Sequence, residues 1–376
     1  MAYLGEDIKK LGFGLMRLPM IGGADGEVDI EQLKDMVDLF MSKGFTYFDT
    51  AYGYGNGKSE AAAKVALIDR YPRESFQFAT KLPAWAGPKT AEEARQMFWT
   101  SLERTGAGYF DYYLLHNLGG ARTDKFDEYG IWEFALEMKA KGLIRHVGFS
   151  MHDSAEALDK ILTAHPEMEF VQLQINYADW ESGSVQSRLC YEVALKHQKP
   201  VIIMEPVKGG ALSALPESVA AILREANPAM SEASWAIRFA ASLDQIITVL
   251  SGMSTLEQMK DNISYMEQFK PLDAAEKVAV EKARLALESI PRIACTSCSY
   301  CVKDCPVGIH IPGYFDAMNR YLVYNDLGAA KFGYQLEQMF GSEKGSACIA
   351  CGACEAVCPQ KINVIAELKR VAGVLE

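Results

Sequence analysis

The 376-residue sequence lacks the features that mark several large classes of protein. It has no uninterrupted apolar run near the ~18 residues that a membrane helix needs, and its first residues, MAYLGEDIKKLG, carry no basic-then-apolar export signal. A cytoplasmic protein with no membrane partner is expected. It has no excess of positive charge: 38 Lys and Arg stand against 49 Asp and Glu, a net charge of -11, and no window forms a basic patch. Nucleic acid is therefore excluded as a partner. Apolar residues at 49% and charged residues at 23% exclude disorder, collagen and coiled coil. Cysteine is nearly absent from the first 290 residues, with Cys190 alone there, yet eight more lie between Cys295 and Cys358. In a reducing compartment such crowding points to metal ligation rather than to disulfides.

What is present is an alternation. Short apolar or β-branched runs begin near residues 10, 45, 76, 110, 144, 169, 200 and 245. Between them lie amphipathic stretches such as 29–42, 90–105, 154–162 and 217–225, with apolar residues near i, i+3 and i+4. Strand–helix alternation implies parallel pairing, and eight such units over about 250 residues predict a (β/α)8 barrel of the α/β class. A doubly wound sheet would want Gly-x-Gly-x-x-Gly in its first turn, and GFGLMR (12–17) supplies only the first two glycines. A charged helix over 271–290 ends at Pro291. The expected domains are a barrel over 1–290 and a small, mainly helical domain over 291–376, with helices near 313–325, 329–340 and 363–374.

The second domain carries a repeated motif. Cys295, Cys298, Cys301 and Cys305 before Pro306 read C-x2-C-x2-C-x3-C-P, and Cys348, Cys351, Cys354 and Cys358 before Pro359 repeat it. This is the loop spacing of two-cluster ferredoxins. A zinc module is the alternative, but zinc sites pair two separate C-x2-C knuckles and have no use for a third step. Two 4Fe-4S clusters are expected. The resemblance is to an α-helical ferredoxin, and it implies a crossover: Cys295, Cys298 and Cys301 with Cys358 on one cluster, Cys348, Cys351 and Cys354 with Cys305 on the other.

In the barrel, Asp49 and Tyr54 follow the second run, Lys81 lies on the third and His116 on the fourth. Barrel enzymes place their chemistry at these strand ends. Reduction of a carbonyl by hydride needs a proton for the oxygen. Tyr54 is the candidate acid, Lys81 an ammonium expected to lower the phenol's pKa, Asp49 the anchor of Lys81, and His116 the group that orients the carbonyl. Singly each has a duller reading as a loop cap, a surface residue or a core histidine; the four together carry the argument. His146, His152 and Cys190 are read as structural. Gly57-Lys58-Ser59 is not a P-loop, because Tyr52 stands where its first glycine belongs.

The strings FDTAYGYGNGKSE, ATKLP and YLLHN resemble the aldo-keto reductases, as do LGFGLMRLP, GFS, Gln172 and SGMSTLEQMKDNI. The resemblance implies that Gly14, Ser150, Gln172, Met204, Gly252, Met253, Ser254, Gln258 and Asn262 bind a nicotinamide cofactor, NAD(H) or NADP(H). Three positions depart from the family. Met151 replaces an Asn, Met204-Glu205-Pro206 replaces an aromatic followed by Ser-Pro, and the adenosine loop lacks its usual cation, so NADP preference is expected to be weak. The function implied is a nicotinamide-dependent oxidoreductase interconverting a small-molecule carbonyl and an alcohol, fused to an electron-transfer domain. One rival is an electron-transfer or redox-sensing protein whose barrel holds nicotinamide or flavin with little turnover; another gives the clusters a purely structural role. Because clusters move one electron and nicotinamide two, a bound flavin and a redox partner protein remain candidates. Substrate, direction and oligomeric state are left open.

Overall fold

A computed structural model describes residues 3–22 and 26–376; Met1 and Ala2, the first residues of the expected barrel domain, lie outside it. The chain divides into two compact units, Met1–Leu212 with Pro228–Val280, and Ser213–Asn227 with Glu281–Glu376.

The first unit is a closed eight-stranded parallel barrel. Its strands are β1 (Leu11–Gly14), β2 (Tyr47–Asp49), β3 (Gln77–Leu82), β4 (Phe110–Leu118), β5 (Ile144–Met151), β6 (Phe170–Gln174), β7 (Val201–Met204) and β8 (Ile246–Ser251). The α/β barrel expected from the sequence is the fold observed. Successive side chains on a strand point to opposite faces. Phe48, Phe78, Leu115, Val171 and Ile203 join the outer core under the helices, while Tyr47, Ala79, Tyr112, Leu114, Phe170 and Ile202 form a separate interior cluster. Two residues further along each strand, the same inward phase reaches Asp49, Lys81, His116, Gln172 and Met204. The strand register, Gly14 opposite Asp49, Asp49 opposite Ala79 and Ser150 opposite Gln172, brings these polar positions to one end of the barrel.

The helices that cover the barrel start where short polar side chains cap them: Asp29 before α1 (Ile30–Ser42), Thr90 before α3 (Ala91–Thr105), Ser154 before α5 (Ala155–Ala164) and Thr255 before α8 (Leu256–Met266). Between these run α2 (Lys58–Ala63), α4 (Ile131–Ala140), α6 (Ser187–Lys196) and α7 (Glu232–Ala241). One expectation is corrected here. The amphipathic stretch near 217 is a helix, Glu217–Ala226, but it groups with the second unit. The helix leading into β8 is α7, whose Ser234, Trp235, Ala236, Ile237, Arg238, Ala240 and Ala241 are all buried. A short antiparallel ladder, Met20–Ile21 with Glu27–Val28, also went unread.

The helix after the barrel, α9 (Ala274–Ser289), stops before Pro291 and is shared between the two units. In the second unit α10 (Ile311–Tyr324), α11 (Leu327–Met339) and α12 (Val364–Leu375) enclose a small core of Ile309, Tyr314, Phe315, Met318, Tyr334, Leu368 and Val371. Tyr314 and Tyr334 stack there with centroids 4.2 Å apart. No described helix is long and apolar enough to cross a membrane.

Gly148 on β5 shows how tightly the barrel closes under its polar rim. A Cβ at this position would lie 2.4 Å from the Phe170 carbonyl oxygen and 2.8 Å from the Phe170 ring. Because the obstacle is backbone of the adjacent strand, Gly148→Ala should destabilise the barrel by about 1–3 kcal/mol through overpacking, measured as a fall in the urea midpoint followed by circular dichroism.

Candidate active site and cysteine cavities

Lys81 organises the barrel mouth. Only 1% exposed, it donates to the Asp49 carboxylate at 2.5 Å, to the Thr50 carbonyl oxygen at 2.8 Å and to the Tyr54 hydroxyl at 3.3 Å. An ammonium has three N–H bonds and here it has three acceptors. Tyr54 also lies edge-on to His116, with ring centroids 5.8 Å apart. The four residues singled out in the sequence thus come together at the end of three adjacent strands.

Their electrostatics differ from expectation at one point. Lys81 does pull the Tyr54 phenol down, but burial outweighs it and the pKa stands above 10.0. The correction has a plain cause: the phenolate would lose more hydration than a single ammonium, already paired with Asp49, returns. Burial likewise raises Asp49 against the attraction of Lys81. His116 falls well below 6.5 through burial, with Lys81 and His152 adding to the effect, so its imidazole is neutral near pH 7.

A supporting layer fixes this loop. Glu60, fully buried on α2, accepts from Thr80 at 2.7 Å and from Arg104 at 2.7 Å, and Arg104 donates on to the Tyr52 carbonyl at 3.0 Å. Gly57, at φ +86°, is obligatory beneath Arg104, since a Cβ would meet the guanidinium at 2.7 Å. Trp85 donates to the His116 carbonyl at 2.8 Å. Glu60, Arg104 and Trp85 escaped the sequence reading, because their role comes from contacts across the fold.

The positions matched to cofactor binding divide into two kinds. Ser150 and Gln172 are buried side by side on β5 and β6, and Gln172 Oε1 has no partner. An unsatisfied buried amide oxygen at the mouth is what a carboxamide N–H₂ would satisfy. His116 Nδ1, Asn117 Oδ1 and Asp49 Oδ2 are likewise unpartnered. Gly14 ends β1 against Ser251, and Met204 is half-buried at the end of β7. Met253 and Asn262, by contrast, are enclosed: Asn262 donates to Ser251 at 2.7 Å and accepts from Tyr265 at 2.5 Å. Gly252 and Gln258 are exposed, and Gln258 accepts from the Ser254 backbone at 2.8 Å.

A cation from another part of the chain lies beside this loop. Arg17, after β1, accepts from the Ser254 hydroxyl through its carbonyl at 3.0 Å, and its Cβ and Cδ lie 3.5 Å from where a Gly252 Cβ would sit. Its exposed guanidinium has no ion-pair partner among the described residues. The residues that meet here are 237 positions apart in sequence, a proximity that no local motif announces. His152, read as structural, and Glu205, noted only within the Met204-Glu205-Pro206 departure, stand at the ends of β5 and β7. His146 pairs with Glu169 at 3.1 Å, and Cys190 is buried with its thiol pushed up to about 11 by desolvation, as befits structural residues.

In the second unit the cysteines surround two cavities. One is lined by Cys295, Cys298, Cys301 and Cys358; the other by Cys305, Cys348, Cys351 and Cys354. The crossed grouping implied by the ferredoxin resemblance is the grouping of the lining cysteines. No three of the described His, Cys, Asp or Glu side chains converge on one point suited to a single ion. Burial raises the thiols of Cys295, Cys301 and Cys354. A bound cluster's positive irons would reverse that penalty. The Ile309 N–H points at Cys305 Sγ at 3.4 Å, the kind of bond that tunes cluster potential.

Comparison with known proteins agrees with both halves. The model of the aldo/keto reductase family matches residues 10–284, and that of the 4Fe-4S dicluster domain matches residues 294–362. An aldo-keto reductase of Mycolicibacterium vanbaalenii is 27% identical over 253 residues, covering 66% of this chain and 83% of that protein. One from Mycolicibacterium smegmatis is 30% identical over 146 residues, 39% of this chain, which spans only 49% of that protein's length. Among solved structures, the holo form of a Bacillus halodurans aldo-keto reductase superposes with TM-score 0.58 at 25% identity, covering 75% of this chain and 95% of that one. A Klebsiella pneumoniae aldo/keto reductase in complex with NADP and acetate does so with TM-score 0.58 at 19% identity, covering 73% and 91%.

The crossed cavities yield a specific expectation. Cys305→Ala should damage the cluster framed by Cys348, Cys351 and Cys354 and spare the one framed by Cys295, Cys298 and Cys301. Electron paramagnetic resonance of the reduced variants checks this; loss confined to the latter cluster would make each fourth ligand local.

Proposed function

Because the chain belongs to the aldo/keto reductase family, we propose that its barrel interconverts a small-molecule carbonyl and an alcohol with a nicotinamide cofactor, and that its two 4Fe-4S clusters exchange electrons with a redox partner. The observation that carries this reading is the Lys81 ammonium donating at once to Asp49 and to the Tyr54 hydroxyl, with His116 edge-on to Tyr54. We take Pro291, just beyond the end of α9, as the boundary between the reductase domain and the cluster domain.

The residues' tasks follow from their chemistry. Ser150 and Gln172 would hold the carboxamide, with Gln172 Oε1 accepting from it, and Met204 would pack against the ring. The nicotinamide, when bound, supplies or accepts the hydride. Tyr54 holds the proton that the developing alkoxide takes, and its raised pKa keeps that proton in place at neutral pH. Lys81 stabilises the phenolate left behind, and Asp49 keeps Lys81 charged and aimed. His116, neutral, offers a ring N–H to the carbonyl oxygen without competing for the proton.

Reading the clusters as electron carriers leaves a mismatch of one electron against a hydride pair, which a flavin on the protein or on its partner would bridge. For the cofactor's adenosine end we propose that Arg17 offsets the uncharged Gly252–Ser254 loop, so that NADPH and NADH both bind.

Two measurements test this reading. Tyr54→Phe should lose about 10²- to 10⁴-fold in carbonyl reduction while still binding cofactor; wild-type turnover would sink the assignment. The pH profile follows from the two shifts. Reduction needs the phenol protonated and His116 neutral, so the rate should be flat around pH 7 to 9, fall on the alkaline side only above pH 10, and on the acid side only below pH 6.5. Separately, Arg17→Ala should weaken NADPH by roughly 10-fold or more, the worth of one charge-assisted hydrogen bond, and NADH by much less. Fluorescence titration of both cofactors decides it, and equal losses would remove Arg17 from the phosphate.

A further inference from the structure

Glu205 follows β7 at the end of the barrel where Lys81, Tyr54 and His116 gather. Its backbone lies at φ +55°, in the left-handed region that non-glycine residues avoid, and Pro206 follows it, which normally steers the preceding residue into extended conformation. Such a conformation persists only where the surroundings over-determine it.

They do so here through a buried polar cage. Asn176, fully buried, donates from Nδ2 to the Glu205 carbonyl at 3.1 Å and to Asp179 at 2.9 Å. Asp179 also accepts from Gln174 at 3.1 Å and from Lys208 at 2.6 Å, and the Lys208 backbone N–H donates back to the Glu205 carbonyl at 3.0 Å. Two donors thus hold the Glu205 carbonyl, and Asp179, Gln174 and the Lys208 ammonium brace them; what that shape presents is the Glu205 side chain.

The carboxylate itself is half-buried and makes no hydrogen bond or ion pair among the described residues. It stands within electrostatic reach of the Tyr54 phenol and of His152, whose own position at the end of β5 borders a cleft with Gln174, Ser184 and Val185. A carboxylate that the protein leaves unpaired is open to a charge-assisted hydrogen bond from an incoming cation. The chain's net charge of -11 adds a field of the same sign.

We propose that Glu205 is a specificity-determining residue that selects carbonyl substrates carrying an ammonium group. The proposal rests on the reductase reading for the face of the barrel that meets substrate, and it deepens that reading by naming the substrate's charge. The Met-Glu-Pro sequence, where the family resemblance led us to expect an aromatic residue followed by Ser-Pro, is on this account a change of specificity.

Binding of simple probes tests it without turnover. Calorimetric titration of the full-length, cluster-loaded protein should show 4-methylbenzylamine bound at least about tenfold more tightly than 4-methylbenzyl alcohol, a ratio in keeping with one charge-assisted contact. Glu205→Gln, of the same shape, should bring the ratio close to one. If that variant does not fold, raising the salt concentration on the wild-type protein should erode the same ratio. Equal binding of the two probes, no amine binding at millimolar concentration, or a ratio that survives both Glu205→Gln and salt would overturn the proposal. NAD(P)H-dependent reduction of neutral 4-methylbenzaldehyde reports on the reductase reading separately. Its absence defeats that reading, while the amine-to-alcohol ratio still judges Glu205.

Discussion

One buried cation governs the first unit. Lys81 sits at the floor of the barrel mouth, where removing an ammonium from water costs several kcal/mol unless every N–H finds an acceptor. Asp49, the Thr50 carbonyl and the Tyr54 hydroxyl meet that demand, and in doing so they fix the loop after β2. The supporting contacts serve the same end. Glu60 ties Thr80, beside Lys81, to Arg104, and Arg104 ties that pair to Tyr52, so the strand bearing the cation and the loop bearing the phenol cannot shift independently.

How much of this was legible in the sequence depended on the range over which each signal acts. The barrel was readable because parallel strands are short apolar runs and their helices carry amphipathic stripes with Ser, Thr or Asp at the start. The exception was α7, which the sequence reading passed over although it is the helix leading into β8. Asp49, Tyr54, Lys81 and His116 were readable as strand-end polar residues in a characteristic order. The Tyr54 pKa was not, because the sequence supplies the neighbouring ammonium but not the depth at which the phenol is buried. Arg17 was missed, and Glu205 was noted only as a departure from the family, for a related reason. One lies beside a loop from the opposite end of the barrel sequence, and the other declares itself through a backbone angle.

The second unit obeys a different constraint. Its core is small, and the four-sulfur cavities take the place that a larger apolar interior would fill. Each cavity draws three cysteines from one loop and one from the other, and Ile311 borders both. The helices α10 and α12 are thereby pinned from two sides, by their own apolar contacts and by the sulfur cages at their ends.

That crossing also sets an order of events during synthesis. The chain emerges from the ribosome N-terminus first, so the barrel is complete while the cluster unit is still being made. Cys295, Cys298 and Cys301 appear early in that unit but wait for Cys358, and Cys305 waits for Cys354. Neither cage closes until the last few cysteines have been added, and then both close within four residues of one another. On the crossed grouping of the cavities, iron and sulfide would enter a nearly finished polypeptide, and a chain truncated before Cys354 would leave both cavities short of their four sulfurs.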